Sequence, residues 1–431
     1  MTVRAPIVKG IALAAAVLLA GGCAAVDRPW DSRTADSRSE EARSPEKRTA
    51  EPRPLARSED RRLDAHVSND RQAGPDAAED SAGARAPGAA PAVPDGIRGI
   101  YVSGWIAGGG EPMERLIRLV DETDLNAMVI DVKNDYGMLT YRSSLPEVRA
   151  VGADREPAVR DMAALLRRLK AKRIYTIGRV VVFKDPLLAR AKPEWAFHTK
   201  SGALWRDRKG KPWVEPYRPE VRAYNIAIAR EAAELGFDEI QFDYVRFPDN
   251  GAEMDRAVQY HNPEGWTKRE AIGRFLRDAR EALHAAGAAV SADVFGLVTT
   301  ARDDMGIGQT WREIAQAVDV ISPMVYPSHY AAGTYGIRHP DLEPSAVVRH
   351  ALDDAGKRNR VLAAEGKRPA RIRPWLQAFT ASWLSPHRPY RAEEIREQIR
   401  AAEAAGVKQF LLWDPACTYD YPRFRGAGSA S

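Results

Sequence analysis

The amino-acid sequence predicts an α/β protein, a single (β/α)8 barrel of the TIM-barrel architecture, set behind an export signal and a polar tether. Three observations predict it. From Arg98 onward, short apolar runs of β type alternate with amphipathic helical stretches, the pattern of a parallel sheet with crossover helices. The alternation supplies eight strands, which suits closure into a barrel better than an open sheet. Several helical stretches end in Gly just before the next strand, at Gly236, Gly287 and Gly406, where a left-handed C-cap is expected. A chain of 431 residues has room for one such barrel plus extra segments.

The strand runs, in order, are Arg98–Trp105, Ala127–Lys133, Ile174–Val182, Glu239–Val245, Ala289–Phe295, Val318–Val325, Ile372–Phe379 and Lys408–Trp413. Helical periodicity covers Pro112–Thr123, Val159–Lys172, Val221–Leu235, Arg269–Ala286, Thr310–Ala317, Ser345–Ala355 and Ala392–Ala405. An open sheet that binds a dinucleotide would carry a Gly-rich turn after its first strand. Gly108-Gly109-Gly110 lies there but lacks the G-x-G-x-x-G spacing, and no Walker-type Lys loop follows. No cofactor is expected. The net charge of +5 suggests nucleic acid only weakly, because part of the Arg excess lies in the polar N-terminal stretch and no nucleic-acid-binding module follows. The expected partners therefore exclude nucleic acid.

The N-terminus reads as an address. Arg4 and Lys9 precede an apolar run from Ile11 to Ala20, then Gly21, Gly22 and Cys23. A basic start, a short apolar core and small residues before a cleavage point make a secretory signal over 1–22. The run is too short to span a membrane. Leu19-Ala20-Gly21-Gly22-Cys23 resembles a bacterial lipobox, which implies lipidation of Cys23 and a membrane-anchored envelope protein; release as a soluble protein is the alternative. Residues 23–95 hold almost no large apolar side chains and read as a flexible tether. The barrel is expected over 96–425. Cys417 has no expected partner.

In barrels of this kind the chemistry sits at the C-terminal ends of the strands. Those ends carry Asp131 and Lys133 on the second strand, Gln241 and Asp243 on the fourth, Ser291 and Asp293 on the fifth, Tyr326 after the sixth, and Trp413 and Asp414 after the eighth. Strand alternation turns Gln241 with Asp243, Ser291 with Asp293, and Asp131 with Lys133 toward the barrel interior. An aspartate within an apolar strand is costly unless it is paired or functional. Lys133 is close enough in sequence to be the partner of Asp131, and Asp414-Pro415 also reads as a turn opener. Asp243 and Asp293, on adjacent strands, suit glycoside hydrolysis, in which one carboxyl group protonates the leaving oxygen and the other attacks carbon or activates water. The long loop after the third strand brings Trp195, Phe197, Trp205, Trp213 and Tyr217, aromatics suited to stacking on sugars or to packing the loop; Tyr326–Tyr335, with His329 and Tyr330, would line the other side.

Gly236 to Pro248, reading GFDEIQFDYVRFP, resembles the hallmark segment of a bacterial family of glycoside-hydrolase-like barrels. So do Gly99–Ser103, Val129–Lys133, Ser291–Gly296, Ile321–Ser328 and Trp413–Pro415, so that the resemblance runs from about Gly96 to Tyr421. More distantly, the arrangement is similar to α-glycosidase barrels, which implies Asp243 as nucleophile and Asp293 as acid/base. Two positions depart from that plan: Gln241 stands where an Arg is common, and Asp293 where a Glu is common. Asp131, Glu239 or Asp414 remain alternatives for the second carboxyl group. Arg246 is placed to orient Asp243 or to bind an acidic sugar. The implied substrate is a polysaccharide of the cell envelope or its surroundings.

Two other classes compete. A non-catalytic carbohydrate-binding barrel would keep its ligand after loss of the Asp243 carboxylate. A Mg²⁺-dependent barrel enzyme would also use carboxylates on successive strands. The eight His residues form no zinc-binding spacing, and no G-x-S-x-G elbow is present; no resident metal is expected.

Overall fold

The computed structural model describes residues 91–249 and 251–421. The expected signal peptide, the Cys23 site and nearly all of the tether lie outside the described residues. Within them, eight parallel strands close into a barrel. They are β1 (Arg98–Val102), β2 (Ala127–Lys133), β3 (Tyr175–Val181), β4 (Glu239–Asp243), β5 (Ala289–Phe295), β6 (Val320–Met324), β7 (Trp375–Gln377) and β8 (Phe410–Trp413). Each pairs with its sequence neighbour, β8 pairs with β1, and Trp375 against Met324 joins β7 to β6, which leaves no open edge.

Seven helices run back over the outside: α1 (Glu111–Asp121), α2 (Met162–Ala171), α3 (Pro219–Leu235), α4 (Lys268–Ala285), α5 (Trp311–Ala317), α6 (Pro344–Ala364) and α7 (Ala392–Ala404). Their starts follow local chemistry. Asp161 accepts from the Ala164 amide, and Thr267 with Glu270 forms a reciprocal capping box. Gly236, Gly287 and Gly406 all take positive φ at the helix exits, where side chains are strained. After β8 the described chain continues to Tyr421 without an eighth helix.

Two layers of apolar residues make the core. The outer one packs strand against helix, with Ile130, Ile240, Phe242, Val290 and Ile321 fully buried against Phe275, Leu276 and Ile228. The inner one fills the barrel, and toward the strands' C-terminal end it turns polar.

The long loop after β3 is structured throughout. It holds a short helix at Pro186–Ala191, and its His198–Thr199 pairs antiparallel with Val258–Gln259 from the loop after β4. Phe197, Tyr217, Phe247 and Tyr260 form one cluster of tilted and edge-to-face rings that joins this loop to the one after β4.

Candidate active site

The site begins with register. Asp131 of β2 lies level with Arg179 of β3, and Arg179 lies level with Gln241 of β4. All three side chains therefore enter the barrel, and the guanidinium reaches both neighbours. Arg179 Nη1 donates to Asp131 Oδ1 at 2.7 Å, while Nε and Nη2 donate to Asp243 Oδ2 at 3.0 and 2.6 Å. The second oxygen of Asp131 accepts from the Tyr101 hydroxyl at 2.7 Å. The second oxygen of Asp243 accepts from the Tyr244 amide at 2.6 Å. Tyr244 adopts a left-handed backbone, φ 47°, to make that turn, a conformation that costs on the order of 1 kcal/mol or more for a non-glycine residue. Both oxygens of Asp243 are thus held.

Asp293 is different. Gln241 pairs in register with Ser291 and Phe242 with Ala292, so Asp243 and Asp293 stand level on adjacent strands. Asp293 Oδ1 accepts from the Trp375 indole at 2.8 Å. Burial and then the nearby Asp243 charge push the Asp293 carboxyl well above the usual carboxylate range. Burial also raises Asp131, with Arg179 and Tyr101 pulling it back. Burial opposes the charge of Arg179, but Asp243 and Asp131 outweigh it and the guanidinium is held charged.

An aromatic floor completes the site. Trp413 stacks on Tyr101 with ring centroids 4.2 Å apart, and the Arg179 guanidinium lies 5.2 Å from the Trp413 ring. Trp413 Nε1 is buried without a protein partner among the described residues, leaving one donor uncommitted beside the carboxylates. Tyr326 and His329 meet edge to face at 5.4 Å on the β6 side. Burial lowers His329 to about 4, so its imidazole is neutral.

Several expected site residues stand elsewhere. Lys133 does not pair with Asp131. A bulge between Asp131 and Lys133 brings Lys133 level with Val180 and turns it outward, where it donates to Asp185 at 2.8 Å and Asn225 at 2.6 Å. Gln241 is one layer below the carboxylates, fully buried, and donates to Ser322 at 3.2 Å. Arg246 does not orient Asp243; it bonds Asp249 at 2.8 Å and lies over the Phe295 ring. Trp205 packs on Phe197, and the Trp213 indole donates to Asp207, so both serve the loop's own packing. Asp414 opens its own turn, accepting from Ala416 and Thr418. Glu239 sits at the barrel base, bonded to Arg373.

Sequence reasoning missed Arg179, Tyr101 and Trp375. The available signal was Arg179 itself, a cation inside the apolar run Tyr175–Val181. Among the described residues no group of three or more His, Cys, Asp or Glu side chains is placed to hold a metal ion; between Asp131 and Asp243 stands a guanidinium.

Residues 99–419 match the model of a family described as "Putative glycosyl hydrolase domain". Among solved structures, the chain is similar to the glycoside hydrolase domain of PgaB (BpsB) from Bordetella bronchiseptica. Identity is 16% over 74% of this chain and 94% of that one, with a TM-score of 0.52, a likeness of fold. It is also similar to a hypothetical protein from Ruminiclostridium thermocellum ATCC 27405, 40% identical over 45% of this chain and 97% of that one, TM-score 0.42. A third is the α-galactosidase TtGalA from Thermus thermophilus, 14% identical over 77% and 60% of the two chains, TM-score 0.45. None of the curated proteins is a match.

Proposed function

The chain belongs to this glycosyl hydrolase family, and from that premise we propose that it cleaves a polysaccharide of the cell envelope or its surroundings with Asp243 as nucleophile and Asp293 as acid/base. One observation carries the reading. Two level carboxyl groups on adjacent strands differ in their surroundings: Asp243 is held by the Arg179 guanidinium and the Tyr244 amide, while burial and the neighbouring Asp243 charge raise Asp293 toward its protonated form.

The roles follow. Asp243 Oδ attacks the anomeric carbon as the glycosidic bond breaks, and Asp293 gives its proton to the departing oxygen. Asp293, now a carboxylate, takes a proton from water, which attacks the glycosyl–Asp243 ester and frees both sugar and enzyme. Arg179 keeps the nucleophile aimed.

Export and anchoring belong to the same proposal, supported by Arg4, Lys9, the apolar run and Cys23. Loss of the protein from the membrane fraction in Cys23→Ala tests it. The activity is tested by hydrolysis across envelope glycans and α-linked oligosaccharides, comparing the full chain with Asp243→Asn. Product formation abolished by that change supports the reading. An undiminished rate in the variant contradicts it, and binding without any cleavage favours a carbohydrate-binding barrel instead.

A further inference from the structure

Among the described residues, four large hydrophobic side chains are exposed: Trp105, Tyr136, Val361 and Trp383, at 63, 41, 54 and 52%. Val361 lies on the outer helix α6. The three aromatics all lie on loops that leave the C-terminal ends of strands, β1, β2 and β7, at the mouth that holds the carboxylates. Exposed aromatics confined to one end of a barrel mark a binding surface more than a packing accident.

Each is held by its loop. Trp105 sits on the short helix Gly104–Ala107, capped by Ser103, whose amide donates to the buried Cys417 sulfur at 3.5 Å. The helix lies directly against the site, since a Cβ on Gly104 would come within 3.9 Å of Asp131 Cβ. Tyr136 is in a turn whose Asn134 side chain accepts from the amides of Tyr136 and Met138 at 3.0 and 3.1 Å. The next residue back, Asp135, bonds Lys184 at 2.8 Å. Trp383 stacks on Phe379 at 6.0 Å and 19°, and Phe379 in turn meets Tyr326 at 5.8 Å. An aromatic series therefore runs from the site wall at Tyr326 out to Trp383.

We propose that Trp105, Tyr136 and Trp383 are outlying contacts for a glycan chain that crosses the mouth, so that the substrate is a polymer gripped on both sides of the reacting bond. The inference rests on the glycosidase reading and deepens it. The order β7-β8-β1-β2 places Trp383 and Tyr136 three strands apart in a ring of eight, nearly across the opening from one another. A protein or membrane docking face would gather such side chains into one patch, whereas these stand on the loops of three different strands, β1, β2 and β7. Pyranose rings offer flat apolar C–H faces with hydroxyl edges, the chemistry that rigid, half-exposed Trp and Tyr recognise.

The test is affinity electrophoresis of the full chain through gels containing glycol chitosan, amylose or hydroxyethyl cellulose, with Asp243→Asn run alongside to separate binding from cleavage. At least one polymer retards both proteins, and Trp105→Ala and Trp383→Ala each weaken that retardation roughly tenfold. Trp383→Phe restores most of it. Binding of the matching trisaccharide stays within about twofold in Trp105→Ala, Trp383→Ala and Trp383→Phe. Retardation by none of the polymers, or retardation indifferent to both Ala variants, overturns the proposal. Undiminished cleavage by Asp243→Asn contradicts the catalytic assignment while leaving this one standing.

Discussion

The barrel interior holds two buried ion clusters, one at its base and one at its mouth, each an arginine set against carboxylate, and puts them to different ends. At the base Arg373 meets Glu239, one cation for one anion, both wholly inaccessible, with the Tyr175 hydroxyl donating to Glu239 at 3.2 Å. At the mouth a single Arg179 serves two carboxylates, and a third, Asp293, stands beside them with only an indole donor. The base is balanced in charge and sealed. The mouth carries more carboxyl groups than cations, and Asp243 keeps 7% exposure. Burial of an ion pair by itself says little about function; an excess of one sign at the open end of a barrel does.

That contrast can be broken experimentally. The largest effect is expected at the mouth, where Asp243→Asn should lower kcat/KM by about 10⁴-fold with little change in unfolding free energy. A steady-state assay paired with urea denaturation checks both halves. Glu239→Gln should do the reverse. It leaves the Arg373 charge buried without its partner, so unfolding free energy should drop by about 3–5 kcal/mol while activity per folded molecule stays within a few-fold. Equal catalytic damage from the two changes would erase the distinction.

Arg179→Lys should be intermediate. An ammonium cannot hold Asp131 and Asp243 together as the guanidinium fork does, and a loss of about a hundredfold in kcat with modest change in KM is expected. The smallest effect concerns pH. The folded state raises Asp293 above its unfolded value of about 3.9, so the folded protein binds the extra proton. Its contribution to stability is complete below the unfolded pKa and is lost as pH rises through the folded one. Denaturation midpoints measured over that window should show a slope that Asp293→Asn removes.

The architecture was legible because each strand is a short apolar run closed by polar residues, and because Gly marks the exits at positions 236, 287 and 406. Asp243 and Asp293 stood out for the same reason, as carboxylates in apolar surroundings. Arg179 did not, since its two partners come from neighbouring strands and depend on register, which spacing along one chain does not encode. Lys133 shows the converse. Simple alternation turned it inward, and one bulge reversed its face. Trp105 and Trp383 were hidden because exposure is a property of the closed barrel and its loops.

The most direct test of the paired carboxylates is the ionisation of Asp293, followed by NMR of the protein labelled with ¹³C at its aspartate carboxyl groups. Across a pH titration, the account predicts that the Asp293 resonance, identified by its loss in Asp293→Asn, stays protonated above the ordinary aspartate range and titrates at lower pH once the neighbouring charge is removed in Asp243→Asn. If no protonated resonance is lost when Asp293 is replaced, the assignment of Asp293 as the acid is contradicted.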